Sequence, residues 1–232
     1  MYKDAFCYII VVAGGSGSRF GGDVPKQFVD LCGIPVVFHS LLGFDKNSYV
    51  DGMILVAPNN KHNFCRLAAQ KLGVAKLIDI VSGGASRQES VYNGLLALPK
   101  GNSIVLVHDG ARPLVTDDGI SAVVSKAHKY GAATLAAPVT DTIKMVNPDM
   151  FAEQTVSRQN LYLTQTPQGF RQEILTAAHE AARNTNFIGS DDCQLVEKIG
   201  VKPKIIPFTT KNIKITHEGD LQLAELLLKT RV

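Results

Sequence analysis

Short apolar runs bounded by turn residues alternate along this chain with segments of helical period, and that alternation restricts the fold more than any other feature. The apolar runs fall at residues 7–13, 52–57, 77–81, 104–108, 134–139 and 204–208. Segments 36–44, 63–72, 87–98, 117–130, 172–184, 191–199 and 218–229 instead repeat apolar residues at i, i+3 and i+4. The runs YIIVVA and SIVLV are continuous rather than alternating, the pattern of strands covered on both faces. The expected fold class is therefore α/β: βαβ units building a mostly parallel twisted sheet flanked by helices.

One stretch breaks the alternation. Residues 141–170 carry no long helical pattern, while IKMV and the segment 161–163 suggest short strands around a polar turn at Asn147-Pro148-Asp149. This reads as a β-arm projecting from a single domain that spans 1–232. An arm of that kind buries little of itself alone and suits packing against a second copy of the chain. An ordinary long surface hairpin is the alternative.

Composition narrows the class further. A chain of 232 residues with 45% hydrophobic and 19% charged residues can bury a substantial core, which excludes a disordered or disulfide-stapled protein. The formal charge of +3, from 24 Lys and Arg against 21 Asp and Glu, is too balanced for bulk attraction to nucleic acid or an anionic membrane. Any anionic ligand must be met by a local cluster. Cys7, Cys32, Cys65 and Cys193 stand far apart without a C-x-x-C pair, so buried free thiols are expected rather than a zinc site. The apolar run at the N-terminus ends in a glycine-rich turn and reads as a first strand. No run approaches the ~18 apolar residues of a spanning helix, and a cytoplasmic location is the expectation.

The strongest local signal follows that first strand: Ala13-Gly14-Gly15-Ser16-Gly17-Ser18-Arg19-Phe20-Gly21-Gly22, then Pro25-Lys26-Gln27. Glycines after a strand let backbone N–H groups approach phosphate oxygens, and Arg19 and Lys26 add positive charge. The run is neither a dinucleotide fingerprint, which would need Gly where Phe20 stands, nor a Walker A loop, since Asp23-Val24 follows Gly22. A phosphate cradle and a flexible Gly/Ser turn both remain open on these residues alone. A second loop, Ser82-Gly83-Gly84-Ala85-Ser86-Arg87-Gln88-Glu89-Ser90, opens a helix with Ser86 and Glu89 in capping-box spacing. Gly83, Gly84 and Ser90 sit where open α/β sheets bind ligands, although a purely structural turn also explains them.

The third motif, His108-Asp109-Gly110-Ala111-Arg112-Pro113, follows the apolar strand at 104–107. A carboxylate at the carboxyl end of a strand suits Mg²⁺, which takes one or two carboxylates plus substrate oxygens, so Asp109 is the metal candidate. A turn aspartate paired with Arg112 is the alternative. Arg158 and Lys214 in isolation read as solvated surface charges, and the histidines outside the third motif have no partner motif. Serine-hydrolase and zincin signatures are absent from the sequence.

Taken together, AGGSGSRFGG with PKQF, SGG, VHDGARP, Thr166-Pro167-Gln168 and NIKIT resemble the 2-C-methyl-D-erythritol 4-phosphate cytidylyltransferase family of the non-mevalonate isoprenoid pathway. The likeness runs in order over nearly the whole chain. It implies a Rossmann-like nucleotidyltransferase, a homodimer joined through the arm, which uses CTP, a sugar-alcohol phosphate and Mg²⁺ and releases pyrophosphate. On that resemblance Ala13, Gly14, Gly15 and Gly110 belong to the nucleotide site, with Gly84 and Ser90 near the cytosine and ribose. Arg19 and Lys26 match the family's transition-state stabilisers, and Asp109 its acidic residue near metal and substrate. Arg112, Thr166, Ser190 and Lys214 take substrate-side positions, while Thr142 and Arg158 reach the partner's sugar-phosphate site. The chain departs from many relatives at Gly14, Gly110, Ser190 and Ala85. An AGG loop also occurs in the sister family that uses ribitol 5-phosphate, so ribitol-5-phosphate cytidylyltransferase is the alternative reading of the acceptor.

Overall fold

The computed structural model describes residues 1–15, 20 and 24–230. In chain order the strands are β1 (Phe6–Val12), β2 (Asp30–Leu31), β3 (Ile34–Pro35), β4 (Gly52–Ala57), β5 (Leu77–Ser82), β6 (Ser103–Asp109), β7 (Ala132–Pro138), β8 (Ile143–Val146), β9 (Ala152–Val156), β10 (Tyr162–Arg171) and β11 (Lys204–Pro207). The helices are α1 (Val36–Lys46), α2 (His62–Lys71), α3 (Arg87–Leu96), α4 (Asp117–Tyr130), α5 (Gln172–Asn184), α6 (Asp192–Lys198) and α7 (Glu218–Lys229). A seven-stranded sheet runs β11-β7-β10-β6-β1-β4-β5. It is parallel except for β10, which is antiparallel to both β6 and β7.

The continuous apolar runs have a direct cause. Cys7, Ile9 and Val11 of β1 point into one core layer with α1, α2 and α4, while Tyr8 and Ile10 point into another with α3, α5 and α6. Because strand side chains alternate between faces, a sheet clad on both sides needs apolar residues at every position. Helix α3 lies unusually close to the sheet at Gly94, where a Cβ would stand 2.6 Å from Cγ2 of Ile10. Its first turn is capped by Ser86, whose hydroxyl accepts from Glu89 N–H, and the Glu89 carboxylate accepts from Ala85 N–H. Helix α4 starts at Thr116 and stops at Gly131, whose φ of 87° suits glycine.

Strands β4 and β5 extend the sheet to one side of β1, and the chain then returns to place β6 on the other side, with Val12 paired to Asp109. That reversal leaves a crevice at the carboxyl ends of β1 and β6, where open α/β sheets take ligands.

The expected arm is shorter than its sequence bounds. Strands β8 and β9 form a projecting antiparallel hairpin, but from Tyr162 the chain is β10 and lies inside the main sheet. Its polar run misleads because Gln165, Thr166 and Gln168 are buried and hydrogen-bonded rather than solvated. Asn212 Nδ2 donates to Gln165 Oε1, and Gln168 Nε2 donates to Asp191 Oδ2. The thiols also divide: Cys7, Cys65 and Cys193 are buried as expected, but Cys32 is exposed in the β2–β3 turn. Burial pushes Cys7 up to about 12 and Cys65 up to about 11, so neither is a ready nucleophile. Among the described residues no helix is long and apolar enough to cross a membrane.

Candidate active site

The crevice is a cleft of about 550 Å³ whose lining includes Ala13, Gly14, Gly15, Lys26, Gly84, Arg87, Ser90, Asp109 and Lys214. That volume suits a nucleotide-sized ligand.

The first wall is the end of β1. Ala13 N–H donates to the Val56 carbonyl at 2.7 Å, and a Cβ on Gly14 would stand 3.2 Å from the Gly83 Cα. The two glycine loops therefore touch backbone to backbone. In the second loop the Ser90 hydroxyl accepts from Gly84 N–H at 3.0 Å and donates to the Ser86 carbonyl at 2.9 Å. Lys26 sits on a 3-10 turn, Lys26–Phe28, that brings it to the cleft. Asp220, at the start of α7, lies within its electrostatic reach. Arg19 lies outside the described residues.

Asp109 is the hub of the third wall. Its Oδ1 accepts from Arg87 Nε at 3.0 Å and its Oδ2 from Lys214 Nζ at 2.6 Å. Burial alone would raise the carboxyl pKa, but Arg87 and Lys214 outweigh it and hold Asp109 well below the usual carboxylate range. The alternative pairing with Arg112 is not what forms. Arg112 instead donates through Nη1 to the Asn212 carbonyl at 2.7 Å. Arg87 continues the network: Nη1 reaches Asp192 Oδ2 at 2.7 Å, and Asp192 Oδ1 meets His179 Nε2 at 3.0 Å. Asp192 and His179 are buried, and burial's tendency to raise Asp192 is again overcome by Arg87.

Thr166 and His108 support Asp109 from beneath. The Asp109 N–H donates to Thr166 Oγ1 at 3.0 Å, and Thr166 Oγ1 lies 3.1 Å from His108 Nδ1. With the Thr166 hydroxyl donating to Nδ1, the His108 ring donates from Nε2 to the Arg112 carbonyl at 3.1 Å. Burial pushes His108 down to about 4, so it is neutral at physiological pH. Its folded pKa is below the unfolded value of 6.5, so acidification between those values protonates the unfolded chain first and costs stability. The expected contribution is about 3 kcal/mol, complete near pH 4. His108→Gln keeps an amide N–H for the Arg112 carbonyl, the contact made by Nε2, and has no proton to gain. Its urea-melt stability should fall less than wild type between pH 6.5 and 4, and an unchanged slope would contradict a neutral buried His108.

Not every expected residue reaches the cleft of its own chain. Gly110 packs beneath it: its N–H is spent on the Val12 carbonyl at 2.9 Å, and a Cβ would stand 3.0 Å from Val37 Cγ2. Thr166 is 5% exposed and its hydroxyl is already engaged. Ser190 is exposed before α6, its N–H bonded to Gln194 Oε1. Thr142 and Arg158 are exposed on the arm, where Arg158 donates to the Thr140 carbonyl. Conversely, Arg87, Asp192 and His179 form the network behind Asp109, and nothing in the sequence signalled that role. Ion pairs spanning 22 and 105 residues leave no spacing to read.

The family model of 2-C-methyl-D-erythritol 4-phosphate cytidylyltransferase matches residues 7–230. The chain belongs to this cytidylyltransferase family. A relative of that name from Pelotomaculum thermopropionicum is 47% identical, with 96% of this chain and 94% of the relative covered. Another, from Geobacillus kaustophilus, is 42% identical over 96% and 97% of the two chains. Among solved structures, a 4-diphosphocytidyl-2C-methyl-D-erythritol synthase from Anaerococcus prevotii superposes with a TM-score of 0.86 at 27% identity, over 97% and 96% of the chains. The Thermus thermophilus cytidylyltransferase gives 0.78 at 30% identity, covering 97% of this chain and all of that one (100%). These cytidylyltransferases share the α/β architecture described above.

Proposed function

We propose that the cleft carries out the family's reaction, transferring the cytidylyl group of CTP to 2-C-methyl-D-erythritol 4-phosphate with release of pyrophosphate. The observation that carries this reading is the convergence of two glycine loops, Lys26, Lys214 and an ionised Asp109 on one crevice in a chain of this family. In the reaction an oxygen of the acceptor phosphate attacks the α-phosphorus, a new P–O bond forms and the α–β bridging bond breaks. The attacking group is already an anion, so no general base is needed. His108 fits that logic: it is neutral, buried, and spent on Thr166 and the Arg112 carbonyl.

What the chain must supply is alignment and charge neutralisation of two anions that repel one another. In this reading backbone N–H groups of Gly14 and Gly15 cradle phosphate, and Gly84 and Ser90 border the base and ribose. Lys26, with Arg19, stabilises charge building on the transferring group, and Lys214 clamps the acceptor phosphate. Asp109 is the sole carboxylate among the described residues lining the cleft. One carboxylate completed by substrate oxygens matches the habit of Mg²⁺, so Asp109 would hold that cation. When bound, a divalent cation supplies further neutralisation of the triphosphate. Pyrophosphate release from CTP should occur with methylerythritol phosphate and not with ribitol 5-phosphate. Turnover with ribitol phosphate alone would overturn the assignment of the acceptor.

The arm supports a homodimer. Met150 and Phe151 at its tip are 76% and 72% exposed, and Leu163 at its base is 60% exposed, apolar side chains that a second copy would cover. In the dimer Thr142 and Arg158 reach the second copy's acceptor. Arg158→Ala should raise the KM for the sugar phosphate at least tenfold while leaving CTP affinity near wild type. Phe151→Asp should shift sedimentation towards the monomer. The three buried thiols support a reducing, cytoplasmic setting.

A further inference from the structure

Gln27 is 3% exposed, and its side-chain amide donates both of its N–H groups across the base of the glycine-rich loop. Nε2 lies 2.7 Å from the Ala13 carbonyl and 2.7 Å from the Gly15 carbonyl. A primary amide has two donors, and both are spent on these two bonds. Its own backbone belongs to the Lys26–Phe28 turn, which Phe28 N–H closes onto the Pro25 carbonyl at 2.8 Å. Phe28 moors that turn by an edge contact to Phe64 of α2, with Lys61 lying over both rings. One side chain thus ties the backbone that would cradle phosphate to the turn that carries Lys26.

Peptide geometry gives this tie a consequence for binding. Pulling the Ala13 carbonyl onto Gln27 fixes the plane of the peptide group that follows it, and hence the direction of the Gly14 N–H, while the bond to the Gly15 carbonyl holds that residue beside the turn. Anion binding by such a loop depends on several N–H groups pointing at one place. We propose that Gln27 is a positioning residue for the nucleotide: it holds the loop backbone and Lys26 at the separation that the triphosphate requires. The proposal rests on the reading of this cleft as the CTP site.

The test is a pair of variants read by direct CTP binding, as a ratio to wild type at each pH. Gln27→Glu places an acceptor-only carboxylate against two carbonyl oxygens and should weaken CTP binding on the order of 10- to 100-fold at pH 8. Lowering the pH protonates the buried acid, whose O–H again donates to one carbonyl, so the ratio should recover several-fold by pH 6. Gln27→Met fills similar volume without a donor and should bind weakly at every pH. The charges facing the position, Lys26 on the same turn, Asp220 on α7, Lys61 beside Phe28, and Arg87, Asp109 and Lys214 lining the cleft, act on the new carboxylate of Gln27→Glu alone, so the uncharged Gln27→Met isolates the loss of the two donors. A Gln27→Glu ratio that stays near one, or a deficit that ignores pH, overturns the proposal. Failure of wild type to bind CTP would instead overturn the reading of the cleft. Should Gln27→Glu not fold, Gln27→Met decides: CTP affinity within twofold of wild type overturns the proposal.

Discussion

Lys26→Ala should lower kcat for pyrophosphate release on the order of 10²–10³-fold, the usual cost of losing one preorganised charge at a developing anion. The fold should survive, because the turn that carries Lys26 is anchored by its neighbours. Gln27 is tied to Ala13 and Gly15, and Phe28 packs on Phe64. Removing an ammonium from that turn takes away charge at the cleft without opening a core cavity. Circular dichroism and thermal unfolding should match wild type, and the loss should appear in kcat more than in the affinity for CTP. Lys26→Arg should recover only part of the rate, since a planar guanidinium does not replace a compact ammonium at the same distance. Near-normal turnover in a folded Lys26→Ala protein would remove Lys26 from the mechanism.

Asp109→Asn should damage both stability and rate. The wild-type carboxylate receives Arg87 on one oxygen and Lys214 on the other. An asparagine amide can accept from one of them and presents N–H groups to the other, leaving a cation beside it without its counter-charge. Lys214 is partly exposed, so water screens part of the loss and the cost is on the order of 1–2 kcal/mol, between the surface and buried limits. Arg87 keeps Asp192 as a partner, so the damage centres on Lys214 and on the cleft wall. Activity should fall at least as far as in Lys26→Ala, because the variant mispositions two cations that line the cleft. The pH dependence follows from the sign of the shift. A carboxyl held below its ordinary range contributes stability above the unfolded value and loses it only as pH falls through the folded one. The stability gap between wild type and Asp109→Asn should therefore be flat from pH 8 to 5 and close only in stronger acid. A gap that closes between pH 7 and 5 would show that Asp109 is not held ionised by Arg87 and Lys214.

The different legibility of these two sites has a physical origin. Lys26 stood in a loop whose glycines and basic residues advertise phosphate chemistry, and Asp109 stood at the end of an apolar strand. Both features are local. Arg87 was hidden at the first position of a helix whose capping residues already explained its neighbourhood, and His179 was hidden on a helix face that read as ordinary. Gln27 stood in the Pro25-Lys26-Gln27 run with no role of its own assigned. Each of these gains its role from a partner distant in sequence or from a carbonyl, and neither kind of partner imposes a periodicity.

The fold followed the same division. Hydrophobic period is a local property, so every α-helix and all the parallel strands among the described residues were legible in the sequence, with ends off by two residues at most. Glycine-rich turns at strand ends likewise marked the end of the sheet where the cleft lies. The sequence alone could not place β10, because its buried glutamines and threonine satisfy their hydrogen bonds with Thr134, Asp191 and Asn212, residues far along the chain. It could not choose the partners of Asp109 either. Backbone conformation is set by neighbours a few residues away, and the amino-acid pattern records it. Which buried polar groups meet is decided only when the sheet brings β6, α3, α6 and the Lys214 loop to one end, and that meeting makes the site.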